Sequence, residues 1–161
     1  MRPITLAKTA SAVIATGVVG GLASRGSQTA WYQSLRKPSF QPPPAAFPIA
    51  WNLLYADIAS TSAHTIDKFQ EQNRDDKARA YSAALAANLI LNASWSWIFF
   101  NRGKLGTAAI AAGALAASSA DLTRRAVDAQ GPRGAILAPY PLWCTFATVL
   151  STRIWMLNRK R

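Results

Sequence analysis

The stretch WYQSLRKPSFQPPPAAFPIAWNLLY, residues 31–55, decides how the chain is organised. Within it, proline stands at positions 38, 42, 43, 44 and 48. Because proline lacks an N–H and clashes with the preceding turn, this density excludes both a helix interior and a central strand. We therefore expect residues 31–45 to form a stiff, extended connector. Pro48 suits the first turn of a helix, so a helix should start beside it.

The composition on either side of this stretch is typical of a membrane protein. Half of the 161 residues are hydrophobic, yet mean hydropathy is only +0.06, because the charged residues gather in short clusters between long apolar runs. A formal charge of +11 is compatible with a nucleic-acid partner. However, Lys and Arg here flank the apolar runs, which is the pattern of a membrane interface. We expect the lipid bilayer as partner and no nucleic acid.

The apolar runs predict an all-α integral membrane bundle of five transmembrane helices in a single domain, residues 1–161, with the proline-rich connector between helices 1 and 2. The expected spans are about 4–24, 46–66, 80–100, 107–122 and 135–157. The first run is longer than the apolar core of a signal peptide, about 7–15 residues, so we expect it to be retained. The hydrophilic segments 67–79 and 124–134 are predicted to be solvated loops. The Lys and Arg counts of the two sides balance, so orientation is not predicted.

Titratable residues are sparse in the apolar runs. Cys144 and His64 are the only residues of their types, so neither a disulfide framework nor a metal cluster is expected. No catalytic constellation is present, and we expect no required cofactor. Asp57 lies near the middle of the second span, where a carboxylate should face the bundle interior or be protonated.

Aromatic residues in two spans fall on single helix faces. Phe47, Trp51 and Tyr55 recur every four residues, and such a stripe either packs against neighbouring helices or forms the wall of a ligand pocket. In the fifth span Trp143 and Ala147 share a face. The small side chain of Ala147 leaves room beside the indole for a flat ligand.

The third span combines amides with tryptophan. Asn88, Asn92 and Trp95 lie on one face, where the amides either make interhelical hydrogen bonds or contact a bound ligand. Ala83 and Ala87 on another face would allow close helix contact in a homodimer.

Three ordered motifs resemble the TspO/MBR family, the tryptophan-rich sensory proteins and translocator proteins (peripheral-type benzodiazepine receptors). They are the order WYxxLxKPxFxPP followed by Phe-Pro and WxxLY, then LNASWSWIFF at 91–100, then PYPLWCTFATVLS at 139–151. Together they cover essentially the whole chain. The resemblance implies a bacterial five-helix membrane protein, located in the bacterial cell membrane.

The resemblance also implies a ligand. Family members bind porphyrins, such as protoporphyrin IX and haem, and drug-like aromatic molecules. Together with Asn88 from the helical pattern, the expected ligand-binding residues are Tyr32, Pro42, Trp51, Asn88, Asn92, Trp95, Trp143 and Ala147. Phe40 stands where the resemblance would place a tryptophan after KPx. The fifth span lacks the tyrosine of the cholesterol-type motif, so sterol binding is not expected.

Three function classes stay open. The first is a receptor or sensor that binds porphyrins and regulates tetrapyrrole levels. The second is an enzyme that degrades porphyrin in light, with Trp51 and Trp143 as the candidate catalytic residues. The third is a small-molecule transporter, which ranks last because the sequence shows no inverted repeat.

Overall fold

The computed structural model describes residues 2–24, 33–43, 45–101 and 104–159. Within these ranges the chain forms five long α-helices, and the prediction of an all-α chain is confirmed. They are α1 (Pro3–Ser24), α2 (Ala46–Glu71), α3 (Asp75–Ser96), α4 (Leu105–Gln130) and α5 (Pro139–Asn158). A π-helical segment, Trp97–Asn101, continues α3, and a 3-10 segment, Gly131–Leu137, leads from α4 into α5.

Length and composition make three of the described segments able to cross a membrane. These are Pro3–Ala23, Asp75–Phe100 and Leu105–Leu137. Helix α2 carries Asp57 and several hydroxyl residues in its middle, and these lower its hydropathy. The count of five spans and the full course of the connector therefore stay predictions.

Contacts between distant residues show how the helices run. Asn158, at the end of α5, bonds the backbone of Arg36 in the connector. Arg2, just before α1, bonds Asp67 near the end of α2. Bonds from Tyr55 to Asn92 and from Ser62 to Tyr81 pair α2 with α3 in reverse order, and Gly106 at the start of α4 faces Trp155 near the end of α5. Successive helices are therefore antiparallel. The connector end consists of residues 33–43 with the last turns of α1, α3 and α5 and the first turns of α2 and α4. The opposite end is the N-terminal end.

Two clusters of buried apolar side chains hold the helices together. The larger one joins α1 to α5 and includes Ile58, Phe69, Tyr81, Leu122, Leu137, Tyr140 and Cys144. The smaller one lies at the connector end and is formed by Phe99, Ala108, Leu150 and Ile154. Leu35 of the connector packs against the smaller cluster, so the connector contributes to the core.

The segment 67–79 is mostly helical, and its prediction as a loop was wrong. Helix α2 continues to Glu71 and α3 starts at Asp75, which leaves residues 72–74 as the turn. Asn73 takes a φ of 59° there, a left-handed conformation that asparagine tolerates better than most residues. Polarity alone did not distinguish a solvated loop from the solvated ends of two helices.

The segment 124–134 was also wrongly predicted as a loop, because α4 runs to Gln130. The carboxylate of Asp121 accepts hydrogen bonds from Arg124 at 2.7 Å and from Arg125 at 2.8 Å. Opposite charges three and four residues apart stabilise a helix. These pairs support helical structure in a stretch that composition alone marked as irregular.

Candidate ligand-binding site

Aromatic side chains occupy the space between α2 and α5, whose backbones touch only sparsely. The Trp143 ring lies 5.9 Å from Phe47 and 6.4 Å from Trp51, edge to face in both pairs. Trp51 also meets Tyr140 edge to face at 6.4 Å, and Phe146 lies 5.5 Å from Trp143. Edge-to-face pairs are the arrangement that aromatic quadrupoles favour. We call these five side chains the aromatic slot.

Local sequence explains why the rings converge. Pro48 lies in the first turn of α2, where no N–H is needed. Phe47, Trp51 and Tyr55 stand at four-residue spacing on one face of the same helix. The Tyr55 ring extends the row, 5.7 Å from Trp51. Helix α5 likewise begins with Pro139, and its first aromatic residues stand on the facing turns. Both walls of the slot are thus set close to helix starts that proline fixes.

A buried hydrogen-bond network forms the floor of the slot. The Tyr140 hydroxyl donates to Oδ1 of Asn88 at 2.7 Å and accepts from Nδ2 of Asn92 at 3.0 Å. The Tyr55 hydroxyl donates to Oδ1 of Asn92 at 3.3 Å, and Nδ2 of Asn88 donates to Ser118 at 3.1 Å. The network joins α2, α3, α4 and α5. It satisfies polar groups that would otherwise destabilise the bundle.

These contacts bear on the two interpretations of the amides. The structure supplies interhelical hydrogen bonds for both Asn88 and Asn92. Both amides are buried, and both bond Tyr140 of the slot; Asn92 also bonds Tyr55, which borders the slot at Trp51. Ligand contact by either amide stays a prediction.

Trp95 carries a buried donor at the connector end. Its ring packs 5.6 Å from Phe99 and 6.4 Å from Phe100, both in the π-helical segment that follows α3. Its indole Nε1 is buried without a hydrogen-bond partner, as is Oε1 of Gln41 in the connector. Unpaired buried polar atoms are rare and mark places where water or a ligand group is expected. π-helical segments are also frequent at functional sites.

The connector is attached to α5 at two points. Asn158 accepts a hydrogen bond from the Arg36 backbone N–H at 2.9 Å and donates to the Arg36 carbonyl at 2.8 Å. The Phe40 ring meets Phe146 edge to face at 6.3 Å. Phe40 thus contacts the slot. Pro42 is half-buried beside it along the chain.

The structure brings Trp51 and Trp143 together, as a shared pocket requires. Ala147 is half-buried on α5, one turn beyond Trp143. Tyr32 lies outside the described residues. The binding roles of all the predicted residues stay predictions.

Sequence reasoning missed three residues that border this region: Tyr140, Phe146 and Gln41. Tyr140 and Phe146 lie three residues before and after Trp143, so helical spacing could have found them. Gln41 gave no signal, because burial of its side chain depends on how the connector folds against the helices.

Two clefts among the described residues lie at the N-terminal end, away from the aromatic slot. One, of about 360 Å³, is lined by His64, Asp67, Lys68, Glu71, Gln130 and Arg133. The other, of about 530 Å³, is lined by Arg2, Ile66, Gln70, Asp75, Ala78, Arg79 and Ser82. Both linings are mainly polar or charged, so neither cleft suits a flat apolar ligand. His64 is exposed there.

The acidic residues of α2 have structural partners. Asp57 is half-buried and accepts a hydrogen bond from Thr61 at 2.8 Å. Asp67 accepts from the Thr5 hydroxyl at 2.6 Å, and from the Arg2 backbone N–H at 2.7 Å and Nε at 3.2 Å. Burial raises the pKa of Asp67, but the bonds from Thr5 and Arg2 outweigh it, so the pKa lies below its usual value. In the described part of the chain, no group of three or more His, Cys, Asp or Glu could hold a metal ion.

Comparison with known proteins agrees with the motifs. The TspO/MBR family model matches residues 9–156. The chain belongs to the TspO/MBR family. It is 32% identical over 142 residues to Protein CrtK of Rhodobacter capsulatus, which covers 88% of this chain and 85% of that protein. It is 31% identical over 149 residues to the translocator protein of Ovis aries, covering 90% and 85% of the two chains. The tryptophan-rich sensory protein of Cereibacter sphaeroides is 29% identical over 131 residues, covering 81% and 78%.

Membership of the TspO/MBR family, together with the span-length apolar helices, identifies an integral membrane protein. The matched residues 9–156 include the whole aromatic slot and its network. This TspO/MBR chain therefore has its slot within the region that defines the family, while the N-terminal contact between Arg2 and Asp67 includes a residue outside it.

Proposed function

We propose that this TspO/MBR protein is a membrane receptor that binds porphyrins, protoporphyrin IX or haem, in the aromatic slot and so regulates tetrapyrrole levels. The observation that carries the proposal is the arrangement of Trp51 and Trp143. Their ring centroids are 6.4 Å apart with planes at 90°, on helices that barely touch elsewhere. Two such helices can separate locally without breaking an extensive backbone interface.

The surroundings of the slot suit a planar guest with a polar edge. Indole and phenyl rings can bind a planar guest by stacking, which does not require precisely placed hydrogen bonds. The buried Nε1 of Trp95 supplies an unused donor for an acceptor on the guest. Ligand sites are commonly apolar with a few placed polar groups, and this combination occurs at the connector end.

Binding is tested by titrating protoporphyrin IX into detergent-solubilised protein and recording tryptophan fluorescence. We expect saturable quenching in the wild type and at least about fivefold weaker binding in Trp143→Ala, since removing one aromatic anchor typically costs more than about 1 kcal/mol. Trp155→Ala is the matched control. Trp155 lies on the same helix, is 37% exposed and packs against Gly106 and Arg159 rather than in the slot. Equal losses in the two variants would show that the slot is not the site.

Light-dependent porphyrin degradation is the second candidate, and the close pair Trp51 and Trp143 favours it. An indole in contact with an excited porphyrin can donate an electron, with molecular oxygen as the final oxidant. Illumination of the complex should then bleach the porphyrin spectrum and form a new product, and Trp51→Phe or Trp143→Phe should stop this. Saturable quenching with no product formed under light would exclude the enzyme and support the receptor.

A further inference from the structure

The two ends of the bundle differ in charge. All seven acidic residues lie either within α2 or at the N-terminal end and the neighbouring half of α4; they are Asp57, Asp67, Glu71, Asp75, Asp76, Asp121 and Asp128. None lies at the connector end. The described cations there are Arg36, Lys37, Lys104, Arg153 and Arg159. Arg25, Arg102, Lys160 and Arg161 adjoin these segments in the sequence.

Cations at the N-terminal half are largely neutralised within the protein. Arg74 and Lys77 both contact the carboxylate of Asp128 at 2.9 Å. Asp121 is shared in the same way by two arginines, and Asp67 is paired with Arg2. No Asp or Glu stands at the connector end, so Lys104, Arg153 and Arg159 form no such pair with a side chain of the described residues. The positive charge of these three side chains is therefore available to groups outside the protein.

The end of α5 has the residue pattern of a membrane–water interface. Trp155 is 37% exposed, and the Arg159 guanidinium lies 5.7 Å from the centroid of its ring. Exposed tryptophan with flanking cations is characteristic of the membrane–water interface. The first turn of α4 reaches the same point, since a Cβ on Gly106 would lie 3.1 Å from Nε1 of Trp155. Lys104 therefore stands on the same rim as Arg159.

We propose that the connector end binds the phosphate headgroups of anionic phospholipids. Lys104 just before α4, Arg153 in α5 and Arg159 just after α5 are all exposed. Anionic headgroups attract Lys and Arg placed near the membrane surface. The proposal does not depend on the porphyrin site, because these side chains are not part of the aromatic slot.

The test uses wild-type protein in phosphatidylcholine bilayers with no porphyrin added. Spin-labelled phosphatidylglycerol and phosphatidylcholine with identical acyl chains report, by electron paramagnetic resonance, the relative affinity of each lipid for the protein surface. We expect at least about twofold preference for phosphatidylglycerol at low salt. The preference should fall as ionic strength rises, because salt screens exposed charges.

A matched pair of triple variants locates the effect. Lys104→Gln, Arg153→Gln and Arg159→Gln together should bring the preference close to one. The control removes three exposed cations of the N-terminal half, by Lys8→Gln, Arg79→Gln and Arg133→Gln, and should keep most of the preference. Expression and thermal midpoint of both variants are measured alongside, and the salt dependence of the wild type supplies a second readout.

Three results would overturn the proposal. The first is equal affinity for the two lipids in the wild type at low salt. The second is an equal loss of preference in the two triple variants. The third is unchanged lipid preference in the Lys104, Arg153 and Arg159 variant with weakened protoporphyrin IX binding, which would assign these cations to the carboxylates of the guest instead.

Discussion

Substitution of Tyr140 by phenylalanine tests how far the buried network holds the bundle together. Phenylalanine fills the same space and removes only the hydroxyl, which donates to Asn88 at 2.7 Å and accepts from Asn92 at 3.0 Å. Both amides are buried, so each loses a partner that water cannot replace. The variant isolates hydrogen bonding from packing.

The expected magnitude follows from the number of bonds lost. An unpaired buried group costs about 1–3 kcal/mol in soluble proteins. In a membrane bundle the unfolded chain also finds partners, and interhelical bonds average about 0.6 kcal/mol with a maximum of about 1.7. Loss of both bonds of Tyr140 should therefore lower the free energy of unfolding by about 1–3 kcal/mol.

The assay is reversible unfolding by SDS titration of protein in mild detergent, followed by tryptophan fluorescence. Tyr55→Phe is the control, because that hydroxyl is only partly buried and makes a single bond of 3.3 Å. It should cost less than about 0.6 kcal/mol. If Tyr140→Phe is no more destabilising than Tyr55→Phe, the hydrogen bonds of the α3 amides do not stabilise the bundle. Direct contact with a ligand would then be the better interpretation of these amides.

The remaining predictions concern other contacts. Replacing Asp67 by asparagine should lower stability by about 1–2 kcal/mol at pH 7. The pKa of Asp67 is lowered on folding, so its stabilising contribution is present above the unfolded pKa of about 3.9 and is lost as the pH falls from there through the folded pKa. The thermal midpoint should therefore fall less steeply with acid in the variant than in the wild type. Gly134→Ala should cost about 1–3 kcal/mol, since the new Cβ would lie 2.3 Å from the backbone of Ala126, whereas Gly21→Ala meets nothing within 4 Å and should be neutral in the same scans. Asn158→Ala removes both bonds to the connector backbone, and hydrogen exchange or limited proteolysis should show faster attack within residues 33–43 and no change in α3.

Local patterns predicted well what local chemistry determines. The face shared by Phe47, Trp51 and Tyr55 depends only on their four-residue spacing within the first turns of one helix. Like the helix start at Pro48, it could be predicted from the local sequence alone. The family motifs then indicated that Trp51 and Trp143, far apart in sequence, belong to one region. The structure places their rings side by side.

The features that the sequence could not predict depend on partners far away in the chain. Near the end of α2, the carboxylate of Asp67 is held by Arg2, 65 residues away. The role of Asn88 likewise depends on Tyr140, 52 residues away. No periodicity in either segment reports such a pairing. Burial of the Gln41 side chain is a property of the folded connector and has no signature in its own sequence.

The packing of the slot limits which guests can use it. In this structure its rings contact one another, and edge-to-face pairs of this kind contribute about 0.5–1.5 kcal/mol each beyond their buried area. A guest entering between α2 and α5 must replace the pairs that Trp143 makes with Phe47 and Trp51. Because the planes of Trp51 and Trp143 stand at 90°, a planar guest can stack on one indole and meet the edge of the other. Its affinity should therefore equal its own contacts with the two indoles less the energy of the ring pairs that it displaces.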